Sequence, residues 1–394
     1  MTSTERQAAV GLAGIFGLRM FGLFLVLPVL AIQGATLDGA TPALIGLAIG
    51  AYGLTQALFQ LPLGFLSDRV GRRPVIAAGL VLFAVGSVVA ALSDHVIGVI
   101  IGRALQGSGA VAAAILALAA DLTAPDQRSK TMAAIGMSVG AAFLLAMVLG
   151  PALAGPVGLA GLFWLSALLG IGAVAALFTL VPAPPADAPR ADGVALRSQL
   201  AGVLRDPDLL RLDVGIFILH ALLTAAFVAV PLLIRDTLGL ALAAHWQVYV
   251  PVLLLSVVVL IPALIIAERW QWQQRVLAGA VVALAAAQLL LALHGGGAVV
   301  LLAALWLWFS AFNVLEATLP ALISRYAPGR AKGTAMGVYA TAQFAGAFAG
   351  GVLGGVVHGL AGFEAVFILG GALALAWLGA LRGMRAIPDL RTRE

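Results

Sequence analysis

Four ionisable residues, Arg19, Arg103, His220 and Glu316, lie inside long apolar stretches of this sequence. Glu316 is the only carboxylate well within such a stretch, and Asn313 precedes it by one helical turn on the same face. A carboxyl group in apolar surroundings holds or releases a proton according to the water and the cations that reach it, which is what proton coupling requires. We therefore predict that Glu316 binds a coupled proton, with Arg19 and His220 at a similar depth.

Structural interpretations of the same residues remain open. A pair between Glu316 and an arginine could serve only to fix helix packing, and a neutral, hydrogen-bonded histidine is as consistent with His220 as a proton site. Arg103 lies deep enough that it costs ~2.5–3.5 kcal/mol to insert unless it is paired or solvated. This depth favours a buried functional role for Arg103 over an arginine that reaches the membrane surface.

A second group of charges lies at residues 64–74, where the pattern is that of a tight turn with one acid among three arginines. We expect the acid, Asp68, to be ionised and paired. The alternative is a basic loop that only sets the membrane topology. The residues of this group are Gly64, Asp68, Arg69, Gly71, Arg72 and Arg73.

Other kinds of chemistry have no signature here. The chain has no cysteine, and its five histidines are scattered without the spacing of metal ligands, so we predict neither a metal site nor a cofactor. There is no Ser/His/Asp set, no HExxH motif and no phosphate-binding loop. A membrane-embedded enzyme, a sensor and an ATP-driven pump are therefore disfavoured.

The composition requires a membrane protein. Hydrophobic residues make up 62% of the chain, and only 10% of it is charged, against roughly 25% in soluble domains. Apolar stretches of about 20 residues, the length that crosses a bilayer as a helix, recur twelve times. They predict an all-α membrane protein with spans at 9–34, 42–66, 74–93, 96–121, 131–156, 159–181, 209–234, 246–267, 275–294, 298–324, 332–357 and 362–384.

A polar stretch at 182–208 separates six spans from six. We therefore predict an N-terminal six-helix bundle at 1–181, a cytoplasmic linker and a C-terminal six-helix bundle at 209–394. The second half of the linker could form a short helix on the membrane surface. The pattern Arg-x-Lys precedes both the fifth and the eleventh span, at Arg128 and Arg330, which is consistent with two pseudo-symmetric halves.

The positive charges follow the membrane topology. If the N-terminus is cytoplasmic, 19 of the 22 Lys and Arg residues fall in cytoplasmic segments, as the positive-inside rule requires. The basic composition therefore indicates that both termini are cytoplasmic, and it does not indicate binding to nucleic acid. Twenty arginines against two lysines and the richness in Ala and Gly favour a bacterial inner membrane.

Three motifs resemble those of the major facilitator superfamily. Residues 64–74 have the spacing G-x-x-x-D-R-x-G-R-R, Arg103 begins the pattern R-x-x-Q-G-x-G, and Gly150 begins G-P-x-x-x-G. The third is similar to the antiporter motif, without its usual paired final glycines. The resemblance implies the 6+6 pseudo-symmetric fold and a role for Arg103 in proton coupling. It also implies that the motif of span 5 seals the outer vestibule against proton leak. The residues of that motif are Gly140, Gly150, Pro151 and Gly155.

The resemblance also implies a role for the charges of residues 64–74 as a conformational switch. In the superfamily the acid and an arginine of this motif pair with an acid at the end of span 4, here Asp121, while the motif also approaches the N-terminus of span 11. Segments around Arg19, His220, Glu316 and Lys332 are similar to the drug:proton antiporter branch. A transporter of that branch carries a further soluble C-terminal domain, so regulation through such a domain is expected to be absent or supplied elsewhere, since the sequence stops at Glu394.

Uncharged polar and aromatic residues predict a largely apolar, adaptable substrate cavity. We expect a monomeric, proton-coupled exporter of small lipophilic compounds that works by alternating access. The alternatives are a proton symporter or importer, or an exporter of one metabolite, on the same fold. The predicted lining comprises Met20, Phe24, Gln56, Gln60, Gln106, Trp308, Asn313 and Gln343.

Overall fold

The structure is a computed structural model that describes residues 1–183, 193–293 and 296–385, with the side chains of 193–197 and 330 excluded. The chain divides into two compact units, which are described separately. The first comprises Met1–Ala191 with Ala241–Trp246, and the second comprises Asp192–Leu240 with Gln247–Glu394. The boundary between Ala191 and Asp192 falls in the stretch that the sequence predicts to be a linker. Residues 184–192 of that linker and residues 386–394 lie outside the described residues.

The N-terminal unit contains seven helices. Short breaks divide two of its spans, one at Val26 between α1 and α2, and one after Ser108 between α5 and α6. A capping box of Thr2 and Glu5 begins α1, and the Thr41 side chain accepts a hydrogen bond from the N–H of Leu44 at the start of α3. The helices are α1 (Ser3–Leu25), α2 (Leu27–Gln33), α3 (Pro42–Val70), α4 (Arg72–Ala91), α5 (Val96–Ser108), α6 (Ala112–Asp121) and α7 (Arg128–Thr179).

The C-terminal unit contains the remaining helices. Asp206 caps α9 by accepting hydrogen bonds from the N–H groups of Asp208 and Leu209, and Gly239 in the left-handed conformation ends the same helix. The helices are α8 (Gly193–Val203), α9 (Pro207–Leu238), α10 (Trp246–Arg269), α11 (Gln273–Ala292), α12 (Gly297–Tyr326) and α13 (Lys332–Leu381). The predicted short helix in the second half of the linker is thus present as α8.

Ten segments in the described part of the chain are long and apolar enough to cross a membrane. Two of them, α7 with 52 residues and α13 with 50, would be roughly 75 Å long at ~1.5 Å per residue, far more than the ~30 Å hydrocarbon layer. Each contains a glycine at positive φ, Gly158 at 67° and Gly362 at 79°, where the helical conformation is interrupted. Each therefore supplies two spans, and the twelve predicted spans are confirmed.

Several predicted boundaries were wrong by a few residues. The first span begins at Ser3, six residues earlier than predicted, because the capping box of Thr2 and Glu5 starts the helix ahead of the apolar run. The largest correction concerns residues 64–74. Since α3 continues to Val70 and α4 begins at Arg72, Asp68 and Arg69 lie in the last turn of a helix, and only Gly71, at φ 103°, forms the turn.

Candidate functional site

Glu316 lies in a polar cluster contributed by three helices of the C-terminal unit. The amide nitrogen of Gln343 on α13 lies 3.3 Å from Glu316 Oε1 and 2.8 Å from the Nε2 atom of His220 on α9. Glu316 Oε2 has no hydrogen-bond partner among the described residues and lies 3.9 Å from His220 Nε2. The cluster therefore contains a carboxylate, an imidazole and one amide that contacts both.

The exposed fraction of the two ionisable side chains differs. His220 is 12% exposed, whereas 38% of the Glu316 side chain is accessible. The accessible part does not include Oε2, which is itself buried, so a proton on Oε2 would lie inside the protein near the imidazole, on a side chain that still reaches water. The structure thus brings His220 and Glu316 within 3.9 Å of each other, whereas Arg19 belongs to the other unit.

Aromatic side chains surround this cluster. The ring of Phe312, one turn before Glu316 on α12, lies 5.9 Å from the His220 ring and stacks on Trp308 at 5.3 Å with an interplanar angle of 9°. Trp308 also lines a narrow apolar pocket within the unit, together with Phe227 and Phe309. Trp308 is buried, so its indole forms a rigid apolar surface close to the polar cluster of Glu316, His220 and Gln343.

Asn313 lies outside the Glu316 cluster, although the sequence places it on the same helical face. Its Nδ2 group donates a hydrogen bond to Ser256 Oγ on α10 over 2.7 Å, and Ser256 in turn donates to the carbonyl oxygen of Leu253. Asn313 thus joins α12 to α10, and it remains half-buried.

Arg19 is fully buried in the N-terminal unit. Its Nη2 group donates to Gln56 Oε1 on α3 over 2.9 Å and to the carbonyl oxygen of Gly109 over 3.0 Å. Gln56 continues the chain of bonds by donating to Gln60 Oε1 over 2.9 Å. Both of these partners are neutral oxygens, and that of Gly109 lies at the break between α5 and α6.

Arg103 is buried in a second network of the same unit. Its Nη1 group donates to Gln106 Oε1 over 2.9 Å, and its Nε and Nη2 groups donate to the carbonyl oxygens of Ala48 and Ile49 on α3. The guanidinium carbon atoms of Arg103 and Arg19 lie 5.4 Å and 5.7 Å from the centroid of the Tyr52 ring. The two arginines thus share one aromatic ring, which favours cations close to its face.

Five predicted cavity residues lie in the N-terminal unit, and the three glutamines among them belong to these networks. Gln56, Gln60 and Gln106 are buried and hydrogen-bonded, and Met20 is buried. Phe24 is half-buried and meets Phe143 of α7 edge to face, with ring centroids 5.2 Å apart. Their assignment to a substrate cavity stays a prediction.

Arg72 connects the acids of the first motif. Its guanidinium group forms ion pairs with Asp68 and with Asp121, the latter over 3.2 Å from Nε to Oδ2. It also donates to Ser67 Oγ over 2.8 Å, and Ser67 donates to the carbonyl oxygen of Gly64. The pairing that the motif predicts between Arg72 and both acids is therefore seen, and it joins the end of α3 to the end of α6.

The other two arginines of the motif have different surroundings. Arg73 donates a hydrogen bond to the carbonyl oxygen of Val181, beyond the end of α7. Arg69 is exposed in the last turn of α3, where a positive charge complements the helix dipole.

The antiporter motif packs closely at only one of its glycines. A Cβ atom on Gly150 would lie 2.4 Å from the carbonyl oxygen of Leu25, at the end of α1. Small residues in a span are expected to let helices approach closely, but Gly140 and Gly155 have nothing within 4 Å of such an atom among the described residues, so this expectation was wrong at these two positions. Pro151 follows the close contact directly and is buried.

The sequence analysis missed a second buried carboxylate. Asp213 on α9 is 6% exposed, and neither of its carboxylate oxygens has a hydrogen-bond partner among the described residues. It lies seven residues before His220, hence on the same helical face. That spacing was the available signal, and it was overlooked because Asp213 is only five residues inside the predicted span.

Comparisons with known proteins agree on the family. The sequence profile of the Major Facilitator Superfamily matches residues 12–351. The inner membrane transport protein YajR of Escherichia coli is 45% identical over 388 residues, which cover 98% of this chain and 85% of YajR. Among solved structures, a bacterial homologue of the human lysosomal transporter Spinster aligns with a TM-score of 0.78 at 14% identity, covering 97% of both chains, and supports the fold.

More distant relatives include two resistance proteins. The multidrug resistance protein MdtH of Aeromonas salmonicida is 27% identical, with 66% of this chain and 65% of MdtH covered. The class G tetracycline resistance protein of Vibrio anguillarum is 35% identical over 39% of each chain. The extent of the profile match and of the similarity to YajR, together with the twelve spans, shows that this chain belongs to the Major Facilitator Superfamily and is a membrane transporter.

Proposed function

We propose that this transporter exports small lipophilic compounds in exchange for protons, by alternating access across a bacterial inner membrane, with both termini in the cytoplasm. The observation that carries the proposal is the environment of Glu316. A carboxyl group within a span has one oxygen without a hydrogen bond, an imidazole 3.9 Å away, and 38% of its side chain accessible. A carboxylate that served only to hold helices together would have both oxygens engaged.

Gln343 supplies the link from proton to conformation. Its single amide group contacts both Glu316 Oε1 and His220 Nε2, so the protonation of either residue changes the hydrogen bonds available to the other. These three residues lie on α12, α13 and α9, and a change in this bonding therefore acts on three helices at once. A substrate that displaces the proton from Glu316 would change the bonding of Gln343 to Glu316 and His220 in the opposite sense.

Several observations support lipophilic substrates. Phe312 and Trp308 form a stacked aromatic surface beside His220, and such rings contact apolar compounds without demanding one shape. Multidrug resistance and tetracycline resistance appear in the names of two distant relatives. The alternatives are a proton symporter or importer and an exporter of one metabolite; the direction of proton movement and the breadth of the substrate range separate them from the proposal.

The N-terminal unit has a positioning role in this proposal. Arg103 and Arg19 place two cations within 5.7 Å of the Tyr52 ring centroid and hold the polar groups of α3 and α5 by hydrogen bonds. We assign them to the maintenance of this polar network during the transport cycle, and the charges around Arg72 to the conformational switch.

The proposal is tested by the flux of protons in vesicles of phosphatidylethanolamine and phosphatidylglycerol. Purified protein is reconstituted, a pH gradient is imposed, and an entrapped dye reports proton movement after addition of ethidium, tetraphenylphosphonium or neutral drugs. We expect proton movement that depends on the compound and that Glu316→Gln abolishes. Glu268→Gln, which neutralises an exposed acid at the end of α10, is the matched control and should retain the flux.

The outcomes separate the parts of the proposal. Flux that persists in Glu316→Gln keeps the antiport and moves the proton site to another residue. Proton and compound that move in the same direction identify a symporter. Absence of coupled flux with every compound in the panel contradicts the export of lipophilic drugs.

A further inference from the structure

Asp213 is the buried ionisable group that the proposed mechanism does not use. Its side chain is 6% exposed, and both carboxylate oxygens lack a hydrogen bond among the described residues. An ionised carboxylate without a partner in an apolar environment is destabilised by several kcal/mol. Burial without a partner therefore favours a neutral carboxyl group, one that holds a proton.

Tyr339 on α13 is a buried phenol that interacts electrostatically with both acids, Asp213 and Glu316. The phenol is 4% exposed and has a hydroxyl group without a partner among the described residues. A phenolic hydroxyl both donates and accepts a hydrogen bond, so it can receive a proton on its oxygen while it releases its own.

The register of two helices places Asp213 and Tyr339 at about the same level of the unit. Cβ atoms on Gly346, Gly350 and Gly354 of α13 would lie against Phe217, Ala221 and Ala225 of α9, so the two helices run in the same direction in close contact. This register sets Asp213 level with the turn from Tyr339 to Gln343.

The contacts of Gln343 bring Glu316 to the same level. Gln343 touches Glu316 and His220, and Tyr339 lies one turn before Gln343 on the same face of α13. The groups thus lie at about the same level of the unit, with Glu316 beside Gln343, Tyr339 one turn from Gln343, and Asp213 opposite that turn.

We propose that Asp213 is a second proton-binding group of the C-terminal unit and that it exchanges a proton with Glu316 through the Tyr339 hydroxyl group. In each transfer the Glu316 carboxyl group loses its proton and becomes a carboxylate. The Tyr339 oxygen accepts that proton as its own hydroxyl proton passes to the Asp213 carboxylate, which becomes a carboxylic acid. Tyr339 is unchanged at the end, and the reverse transfer restores Glu316.

The charged neighbours are consistent with this route. The titratable groups that face it are His220 on α9, Glu316 on α12 and Tyr339 on α13. Two cations near the beginning of α9, Arg211 and Arg385, are bound by Asp208. The inference rests on the proposed function, because it takes Glu316 to be the coupled proton site.

The test is infrared spectroscopy of the full chain in lipid vesicles during a pH titration, which requires no substrate. We expect protonated carboxyl bands that disappear with rising pH, of which Asp213→Asn removes one and Glu316→Gln another. Asp236→Asn, on the same helix but exposed and paired with Arg235, should leave both bands. Asp213→Glu should restore a titrating band, which separates the loss of a proton site from the loss of the fold.

Exchange with deuterated water tests the link between the two acids. Asp213 is buried whereas the Glu316 side chain reaches water, so Tyr339→Phe and Glu316→Gln should each slow the exchange of the Asp213 carboxyl proton by at least about a hundredfold, the low end of what a positioned acid or base contributes. A spectrum of Asp213→Asn identical with that of the wild type would overturn the proton site, and unchanged exchange at Asp213 in both Tyr339→Phe and Glu316→Gln would overturn the route. Absence of drug-coupled flux with these bands intact counts against the export proposal alone.

Discussion

The Nη2 group of Arg19 donates a hydrogen bond to the carbonyl oxygen of Gly109 over 3.0 Å, and this contact joins α1 to the break between α5 and α6. Gly109 follows the last residue of α5, where the helix gives way to three non-helical residues, so its carbonyl oxygen requires a partner from outside the helix. A buried arginine supplies that partner. Gly109 is the last residue of the motif that begins at Arg103, and its carbonyl oxygen therefore binds Arg19 and not the arginine of its own motif.

Replacing Arg19 should lower stability. Arg19→Met leaves the oxygens of Gly109 and Gln56 without their donor, and an unsatisfied buried polar group is destabilising by about 1–3 kcal/mol. Thermal unfolding of the purified protein in detergent measures the effect. Arg235→Met, which removes an exposed ion pair worth about 0–1 kcal/mol, is the control, and an Arg19→Met variant as stable as this control would contradict the prediction.

The ion pairs of Arg72 should be coupled energetically. Asp68 and Asp121 bind the same guanidinium group, so a double-mutant cycle of Asp68→Asn and Arg72→Gln should give a coupling energy of about 0.5–3 kcal/mol. We also expect Asp68→Asn to lower the transport rate while substrate binding is retained, as a conformational switch requires. Arg69→Gln, at an exposed position of the same turn, should show little coupling to Asp68; unchanged transport by Asp68→Asn would exclude the switch.

The beginning of α9 should show a defined pH dependence. Partial burial alone would raise the pKa of Asp206, but hydrogen bonds from the Arg385 guanidinium group and from the N–H groups of Asp208 and Leu209 outweigh it, and the pKa of Asp206 is lowered. The unfolded chain therefore binds this proton more tightly than the folded one. The stabilisation by Asp206 is present above the ordinary carboxyl pKa of about 3.9 and is lost as the pH falls through the lowered value.

Asp206→Asn isolates this charge, because asparagine caps a helix about as well as aspartate. We expect the variant to have a lower melting temperature than the wild type at neutral pH, with the difference shrinking as the pH falls below about 4. A difference in melting temperature that stays constant down to low pH would assign the effect to the cap and not to the ion pair with Arg385.

The glycines of the antiporter motif should differ in their tolerance of substitution. Gly150→Ala places a methyl group 2.4 Å from the Leu25 carbonyl oxygen, and overpacking of this kind is destabilising by about 1–3 kcal/mol. Gly140→Ala meets no such contact, and alanine gains up to about 1 kcal/mol of helix propensity over glycine. The yield and melting temperature of the two variants are measured in detergent. We expect both to be lower for Gly150→Ala than for Gly140→Ala, and equal values for the two variants would contradict the prediction.

Much of the architecture follows from the sequence alone. Apolar runs separated by charged residues predicted the twelve spans, because a helix in lipid needs about 20 apolar residues and places its charges at the ends. Even the division of α7 and α13 could be anticipated, since Gly158 and Gly362 lie at or beside the predicted junctions. The resemblance of residues 64–74 to the superfamily motif implied that the acid and an arginine pair with Asp121, and one acid among three arginines already predicted an ion pair for Asp68.

Only the tertiary structure decided which side chains meet across helices. Helical periodicity assigns a residue to a face, but the neighbour of that face depends on packing and register, which a single helix does not determine. Asn313 and Glu316 share a face of α12, yet one contacts Ser256 on α10 and the other contacts Gln343 on α13. Asp213 is the seventh residue of α9, near the helix end where a solvated acid is expected, and the packing of α9 in its unit leaves it buried without a hydrogen-bond partner among the described residues.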